Sequence, residues 1–465
     1  MSTFSGLNAA SSALAAARRG MDLVGQNIAN QSTQGYTRQR LETSAVAAVS
    51  GTFTAGVQPG QGVSVDGISR LGDAVLDARV RDTLASSGYW STRASAAVTA
   101  EVALAEPTAN GLADRLTTFW AGWQDLSNSP DSTAAAAVVL TGAETLAAQI
   151  ADGYRGIAEQ WSDARDAADV MVSQINAAAG EIAELNGAIR DTLAAGASAN
   201  ELIDRRNLLA QGVARLSGAV GTIEQDGTMT LRLDGNALVS AADARTLTLD
   251  GPPSLEAGAP VTVRWEGGPA VAVASGELGG ALSVLAPADE GGVLAGLAQS
   301  HNALATALAA SVNAQHRLGT TAGGSPGGDF FSLTAGAPAA LGLTVVPQSR
   351  AELALAAPGA GALDGSNADA LAGIGEKADG PDALWADVVA RLAVATAADV
   401  GRASRAETGA VAAVAAQQSV AGVDTDEETV NLLMYQTAYQ AAARVLTAVD
   451  EALDVLINRT GLVGR

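Results

Sequence analysis

The chain has 465 residues, enough for two to four domains, and carries 49 acidic against 27 basic residues for a formal net charge of −22. A surface this acidic repels phosphate backbones and anionic lipid, which disfavours nucleic-acid and membrane-surface binding. The complete lack of cysteine excludes thiol catalysis, Cys-ligated metal and a disulfide framework, and no charge-free apolar run of about 18 residues suggests membrane insertion.

Residues 3–30 read as one amphipathic helix, in which Leu7, Ala10, Leu14, Ala17, Met21, Val24 and Ile28 recur in alternating steps of three and four. Arg18 and Arg19 follow the first apolar positions instead of preceding them, so the N-terminus does not read as a cleaved signal peptide. The helix stops in the turn formers Asn30 to Gly35. From Tyr36 to about Ser69 the texture is β-branched and Gly-rich, as in an extended chain and hairpin. A helical pattern then runs from about Gly72 to the break at Glu106-Pro107.

A second helical block spans about Leu112 to Leu216, interrupted at Asn128-Ser129-Pro130, with Ala134–Trp161 and Ala164–Leu193 as long alanine-rich parts. Helices of that length favour an elongated antiparallel bundle. The period then changes to two, and residues 218–278 read as a compact inserted β domain, with a turn at Asp234-Gly235-Asn236. Helix returns from Gly280 to about Leu318, followed by a Gly-rich loop at 319–328 expected to be flexible, a short β-like run at Leu341–Val346, and helix again over Ala383–Gln418.

The last helix begins after Asp424. Thr425 and Glu428 have the spacing of a capping box, with neighbouring acids suited to the N-terminal dipole. Leu432, Tyr435, Tyr439, Ala442, Leu446, Val449, Leu453 and Leu456 form a seam like that of the first helix. Neither terminal seam has adjoining core residues, so the two ends are expected to meet each other and then further copies of themselves, taking up order on assembly.

The fold expected is mainly α with an inserted β domain, that is, multidomain α+β. It divides into a coiled-coil helix at 1–35, an extended or hairpin connector and helix start at 36–90, a helical bundle at 91–217, the β domain at 218–280, the returning bundle with its Gly-rich loop at 281–420, and a second coiled-coil helix at 421–465. Nothing in the chain favours catalysis, a metal or a cofactor. His301 and His316 are the only histidines and are expected to be surface or packing residues. There is no Gly-x-Ser-x-Gly elbow, and the loop at 319–328 lacks the ending of a phosphate loop.

Three stretches together resemble the hook-associated protein 1 family of the bacterial flagellum. Ser5 to Ala10, Asn27-Ile28-Ala29-Asn30 and Thr33 to Gln39 resemble an N-terminal signature shared by rod, hook and junction proteins. Asp424 to Leu446 resembles the C-terminal signature of the same proteins. Glu201 to Leu209, Asp226-Gly227, Gly235 to Val239, Ser300-His301-Asn302 and Asn313 to His316 resemble the family's interior. Gln34 and Gln26 stand where relatives often have proline and histidine.

The resemblance implies a non-enzymatic subunit at the junction of hook and filament. It also implies self-association as a ring or helical oligomer, contact with the hook subunit and a second junction protein, and an export chaperone. Export would be to the extracellular flagellum without a cleaved signal. The assembly residues would be the N-terminal seam Leu7, Leu14, Met21, Val24 and Ile28, the turn residues Asn27, Asn30, Gly35, Tyr36 and Arg38, and the C-terminal seam. A rod or hook subunit is the rival reading within the class, and a secreted enzyme with helical flanks the rival outside it.

Overall fold

Two antiparallel helix pairs organise the chain in a computed structural model that describes residues 3–47, 60–455 and 457. The chain ends form one pair, α1 (Thr3–Ala29) with α11 (Thr425–Asp454). The other joins α2 (Ala74–Leu104) to α10 (Pro381–Ala421). Between α1 and α2 a two-stranded antiparallel ribbon, β1 (Gln39–Ala45) and β2 (Val63–Arg70), lies along α1. A Cβ on Gly62 would run into Ala9 and Ser12, so glycine lets the ribbon backbone lie directly on the helix.

The body starts with α2, which the Asp73 side chain caps by accepting from the Val75 and Leu76 amides. Next come α3 (Leu112–Asn128), α4 (Thr133–Ala194) and α5 (Asn200–Ser217). The sequence reading divides α4 at residues 162–163; the structure has one helix of 62 residues, about 90 Å long. Ser162 and Asp163 lie off the seam, and buried Trp161, Ala168, Val172 and Ile175 carry the apolar repeat across them without Gly or Pro. By length and composition α4 could cross a membrane, but Val139, Leu146, Ile150 and Ile157 on its seam are buried in the body's core.

The β insertion is two small antiparallel sheets. One has the order β3 (Val220–Ile223), β4 (Met229–Leu233), β5 (Asn236–Ser240), β6 (Asp243–Ala244); the other has β7 (Leu247–Asp250), β8 (Thr262–Trp265), β9 (Ala270–Val271). Met229, Leu231, Val263 and Trp265 join the same apolar cluster as the helices, so the sheets share the bundle's core and do not form a compact unit of their own. So few residues could not bury enough apolar area alone. Two asparagines of α4 fasten them. Asn186 bonds the Met229 amide and carbonyl and the Ala241 carbonyl, and Asn176 bonds the amide and carbonyl of Leu247.

The helix expected over 280–318 is two helices, α6 (Gly276–Leu285) and α7 (Val293–His316). Pro287 has no amide to continue α6, and Gly292 packs too closely on the Ala286 carbonyl for any side chain. The loop expected to be flexible is pinned by hydrogen bonds from Thr321 N to Ser325 O and from Gly327 N to Gly319 O, both 2.9 Å. Its β10 (Thr320–Thr321) pairs with β13 (Ala354–Ala356), and beside it β11 (Phe331–Leu333) pairs with β12 (Leu343–Val345). Short helices α8 (Ala339–Gly342) and α9 (Ser366–Ala372) lead on towards α10.

Candidate functional site

The terminal pair and its joint with the body hold most of the residues singled out in the sequence. Along the pair, a Cβ on Gly6 would sit 3.6 Å from Val449 and one on Gly20 would meet the Tyr435 ring at 2.5 Å, while Asn27 donates to Glu428 at 3.1 Å. Fourteen positions forward on α1 match fourteen back on α11, and the next seven match seven. Constant register over three heptads defines an antiparallel two-stranded coiled coil. Gly20 is required for this geometry, since it leaves room for the Tyr435 ring.

The N-terminal seam divides on this register. Val24 is buried, together with Ala10 and Ala17, whereas Leu7, Leu14, Met21 and Ile28 are half-buried along one flank, seven residues apart. Buried Ala16 and Leu23 also belong to α1's packed side. On α11 the seam Leu432, Tyr435, Tyr439, Leu446, Val449 and Leu453 is half-buried, Ala442 is fully buried, and Leu456 lies outside the described residues. Val430, Leu433, Met434 and Val445 point away and are exposed. One partner helix cannot cover both flanks of a seam, so the seam residues themselves stay half-covered in the coil, whereas the body's seams are buried in its core.

At the far end of the coil the turn residues close into a polar joint. Asn27 is 1 % exposed and uses all four of its hydrogen-bonding positions. Its amide donates to Gln39 O at 2.9 Å and to Glu428, and its oxygen accepts from the Tyr36 hydroxyl at 2.8 Å and the Gln39 amide at 3.1 Å. Arg38 donates to Glu428 at 2.8 Å and Glu427 at 2.6 Å, and its amide bonds Ala421 O at 2.8 Å. Gly35 takes φ +80 against Leu208, a backbone state that favours glycine. Asn30 stays local, bonding Gln26 O and the Thr33 hydroxyl where α1 ends.

Glu428 therefore has a different role from the capping-box member expected. Asp424 is the cap and accepts from the Asp426 amide at 2.8 Å and the Glu427 amide at 3.3 Å, while Thr425 is already the first helical residue. Aspartate caps better than threonine, and the buried Glu428 carboxylate is held by the charged Arg38 donor and by Asn27.

The body's half of the joint is the start of α5. Asp204 accepts from the Thr37 amide at 3.1 Å and from Arg70 at 2.8 Å. Asn200 reaches Gln39 and Ile68 O, each at 3.1 Å, and Glu201 accepts from Gln26 at 3.2 Å. Asn200 and Asp204 were not singled out as contacts from sequence: Glu201 to Leu209 was readable only as a family mark, and nothing in its spacing points to Thr37 or Arg70. Residues 27–39, 201–204 and 424–428 of the three stretches that carry the resemblance thus meet in one place.

Burial, and then the carboxylates of Asp204, Glu201 and Glu428, push the Tyr36 phenol up to about 12. Burial also raises Asp204, against the opposing pull of Arg70 and Thr37. At Arg38 burial lowers the pKa, but Glu427 and Glu428 outweigh it and hold the guanidinium above its usual value.

Among the described residues no three His, Asp or Glu side chains are grouped to hold a metal. His316 is buried between Gly328 O at 2.8 Å and the Ala354 amide at 3.0 Å, which requires a neutral ring protonated on Nδ1. His301 donates to Leu297 O and stacks edge-on against Trp385. Burial lowers the pKa of both.

Residues 98–331, half of the chain, match the family described as the flagellar hook-associated protein FlgK helical domain. Residues 417–459 match the flagellar basal body rod FlgEFG protein C-terminal family. The flagellar hook-associated protein 1 of Bacillus subtilis is 29 % identical over the full length of both chains. That of Salmonella typhimurium is 32 % identical over 70 % of this chain and 59 % of its own length. A solved structure of the flagellar hook junction protein FlgK from Burkholderia pseudomallei aligns with 55 % of this chain and 46 % of that one, at 24 % identity and a TM-score of 0.47. The chain belongs to the flagellar hook-associated protein FlgK family.

Proposed function

We propose that the chain is a non-enzymatic structural subunit that joins hook to filament and assembles with copies of itself through the α1–α11 coil. The observation that carries this reading is the unequal finish of the molecule: the body buries its seams, while the coil leaves Leu7, Leu14, Met21 and Ile28 half-covered and Val430, Leu433, Met434 and Val445 exposed. Such flanks suit further helices, and identical subunits in head-to-tail contact generate a ring or helix. The hook subunit on one side and a second junction protein on the other complete the assembly. Before assembly the exposed α11 face requires masking, which fits an export chaperone and passage to the cell exterior without a cleaved signal. The turn residues Asn27, Gly35, Tyr36 and Arg38 act as the joint that sets the coil's direction on the body.

Deletion of the gene followed by electron microscopy tests the reading. Cells that keep hooks but shed filament protein into the medium support it. Loss of the hooks themselves overturns it in favour of a rod or hook subunit.

A further inference from the structure

Two charged stripes on the body have matching spacing and opposite sign. On α10, Arg391, Ala395, Ala398, Arg402 and Arg405 follow one another in steps of four, three, four and three, and all are exposed. A shallow groove of about 460 Å³ runs beside them, floored by the alanines and Val394. On α4, Asp152, Gly156, Glu159, Asp163 and Asp166 repeat the same steps and are also exposed. The three arginines are spaced by eleven and three residues, as are Asp152, Asp163 and Asp166. Both sets therefore span about 21 Å at the helical rise of 1.5 Å per residue.

Intramolecular pairing does not use up these charges. Arg405 makes no ion pair among the described residues. Arg391 meets Asp387 at 3.0 Å in an exposed pair on its own helix, an arrangement worth little in water. Arg402 touches Asp399 at 2.8 Å, but Asp399 is also held by Arg93 at 2.6 Å, leaving two cations around one carboxylate. On α4, Arg155 meets Asp152 at 2.5 Å and Arg165, bonded to Pro252 O at 2.8 Å, reaches exposed Asp166 only at 3.9 Å, while Glu159 and Asp163 stay exposed beside them. A local cationic stripe is unusual on a chain of net charge −22.

The stripes lie on the exposed faces of two helices that both pack on α7. Its His301 packs on Gly153 of α4 and against the Trp385 ring of α10, so the solvent faces of the two helices turn outward from a shared centre. One molecule can therefore offer its arginine stripe to one neighbour and its acidic stripe to another. We propose that the α10 stripe of one copy docks on the α4 stripe of the next, giving a heterologous body-to-body contact that fixes the neighbour's position once the coils associate. The alanines and Gly156 let the helices approach, and the arginines bridge to Glu159, Asp163 and Asp166. This inference rests on the self-assembly reading above.

Charge exchange in the full-length chain tests it, with association followed by sedimentation velocity at low and high salt. R402E/R405E makes both stripes acidic and E159R/D163R/D166R makes both basic, so each variant alone loses the stripe contact and associates less. Mixed in equal amounts they regain it, because each stripe again meets its opposite, and the regained association weakens as salt rises. Wild-type association that neither variant reduces, or a mixture that regains nothing, overturns the stripe contact. An L14D/M434D variant tests the parent reading separately: undiminished association there overturns assembly through the coil. A wild-type chain that stays monomeric throughout overturns both.

Discussion

The α1–α11 and α2–α10 pairs have the same topology and opposite finish. Along α2–α10 polar staples recur: Asp77 with Gln417 at 2.6 Å, Ser87 with Glu407 at 2.6 Å, Arg93 with Asp399 at 2.6 Å, and Arg402 over the Trp90 ring. Its inner face adds Trp385, Val388 and Leu392 to the body's core. The α1–α11 pair has glycines, alanines and half-covered apolar side chains along its length, and its polar contacts are densest in the joint at one end. The α2–α10 pair is stapled and seated on the core within one chain, although Val75, Val102, Val394 and Val411 stay exposed on its outer side. The α1–α11 pair has a fixed direction but a half-covered seam, as a subunit needs if its neighbours are to finish the packing.

The aromatic residues allow the two units to be followed separately. All six tryptophans lie in the body, at 90, 120, 123, 161, 265 and 385, while Tyr36, Tyr435 and Tyr439 belong to the coil and its joint, and a Y89F/Y154F background removes the body's two tyrosines so that the tyrosine signal reports the coil. The largest expected effect is Trp161→Ala, which empties a core site 2 % exposed and costs the body about 4 kcal/mol. Fluorescence of the remaining tryptophans then shows the lowered melting temperature. Glu428→Ala strips partners from Asn27 and Arg38 and costs about 2–3 kcal/mol, lowering the tyrosine near-ultraviolet transition and leaving the tryptophan transition in place. A matching loss in both signals would show that coil and body unfold as one unit.

Tyr36 supplies a pH test. Its folded pKa of about 12 lies above the ordinary value of 10, so its contribution to stability is fully present below pH 10 and is lost as pH rises towards 12. The joint should loosen over that window, with phenolate absorbance and coil melting changing together, and Tyr36→Phe should remove that part of the pH dependence. The smallest effect is Gly35→Ala, about 1 kcal/mol from the positive φ, with the added Cβ 3.2 Å from Leu208. It should appear in the tyrosine transition alone.

Much of this organisation was legible in the sequence because it depends on local periodicity. The seams of α1 and α11, the ribbon between Tyr36 and Ser69, and the change of period near residue 218 can all be read from side-chain spacing. The joint was half legible. Asn27, Tyr36 and Arg38 stood out, but Asn27 and Arg38 bond Glu428 and Glu427, 401 and 389 residues away, and neighbouring Thr37 bonds Asp204, 167 away; no local pattern encodes such pairings. Glu428 misled for a physical reason: a glutamate three residues after a threonine fits a cap, yet the tertiary Arg38 partner is stronger than the local amide. Likewise Ser162-Asp163 reads as a break only until the seam on both sides is seen to be continuous.

Native-state hydrogen exchange on the free and assembled chain tests the central claim, that the coil is fastened at the joint but left for neighbours to complete. The amides of α1 and α11 should exchange together in the free chain through an opening well below the global unfolding energy, while α2 and α10 exchange only with the body. On assembly the protection of α1 and α11 should rise to that of the body. Equal protection of both pairs in the free chain, or no gain in the coil on assembly, would contradict the account.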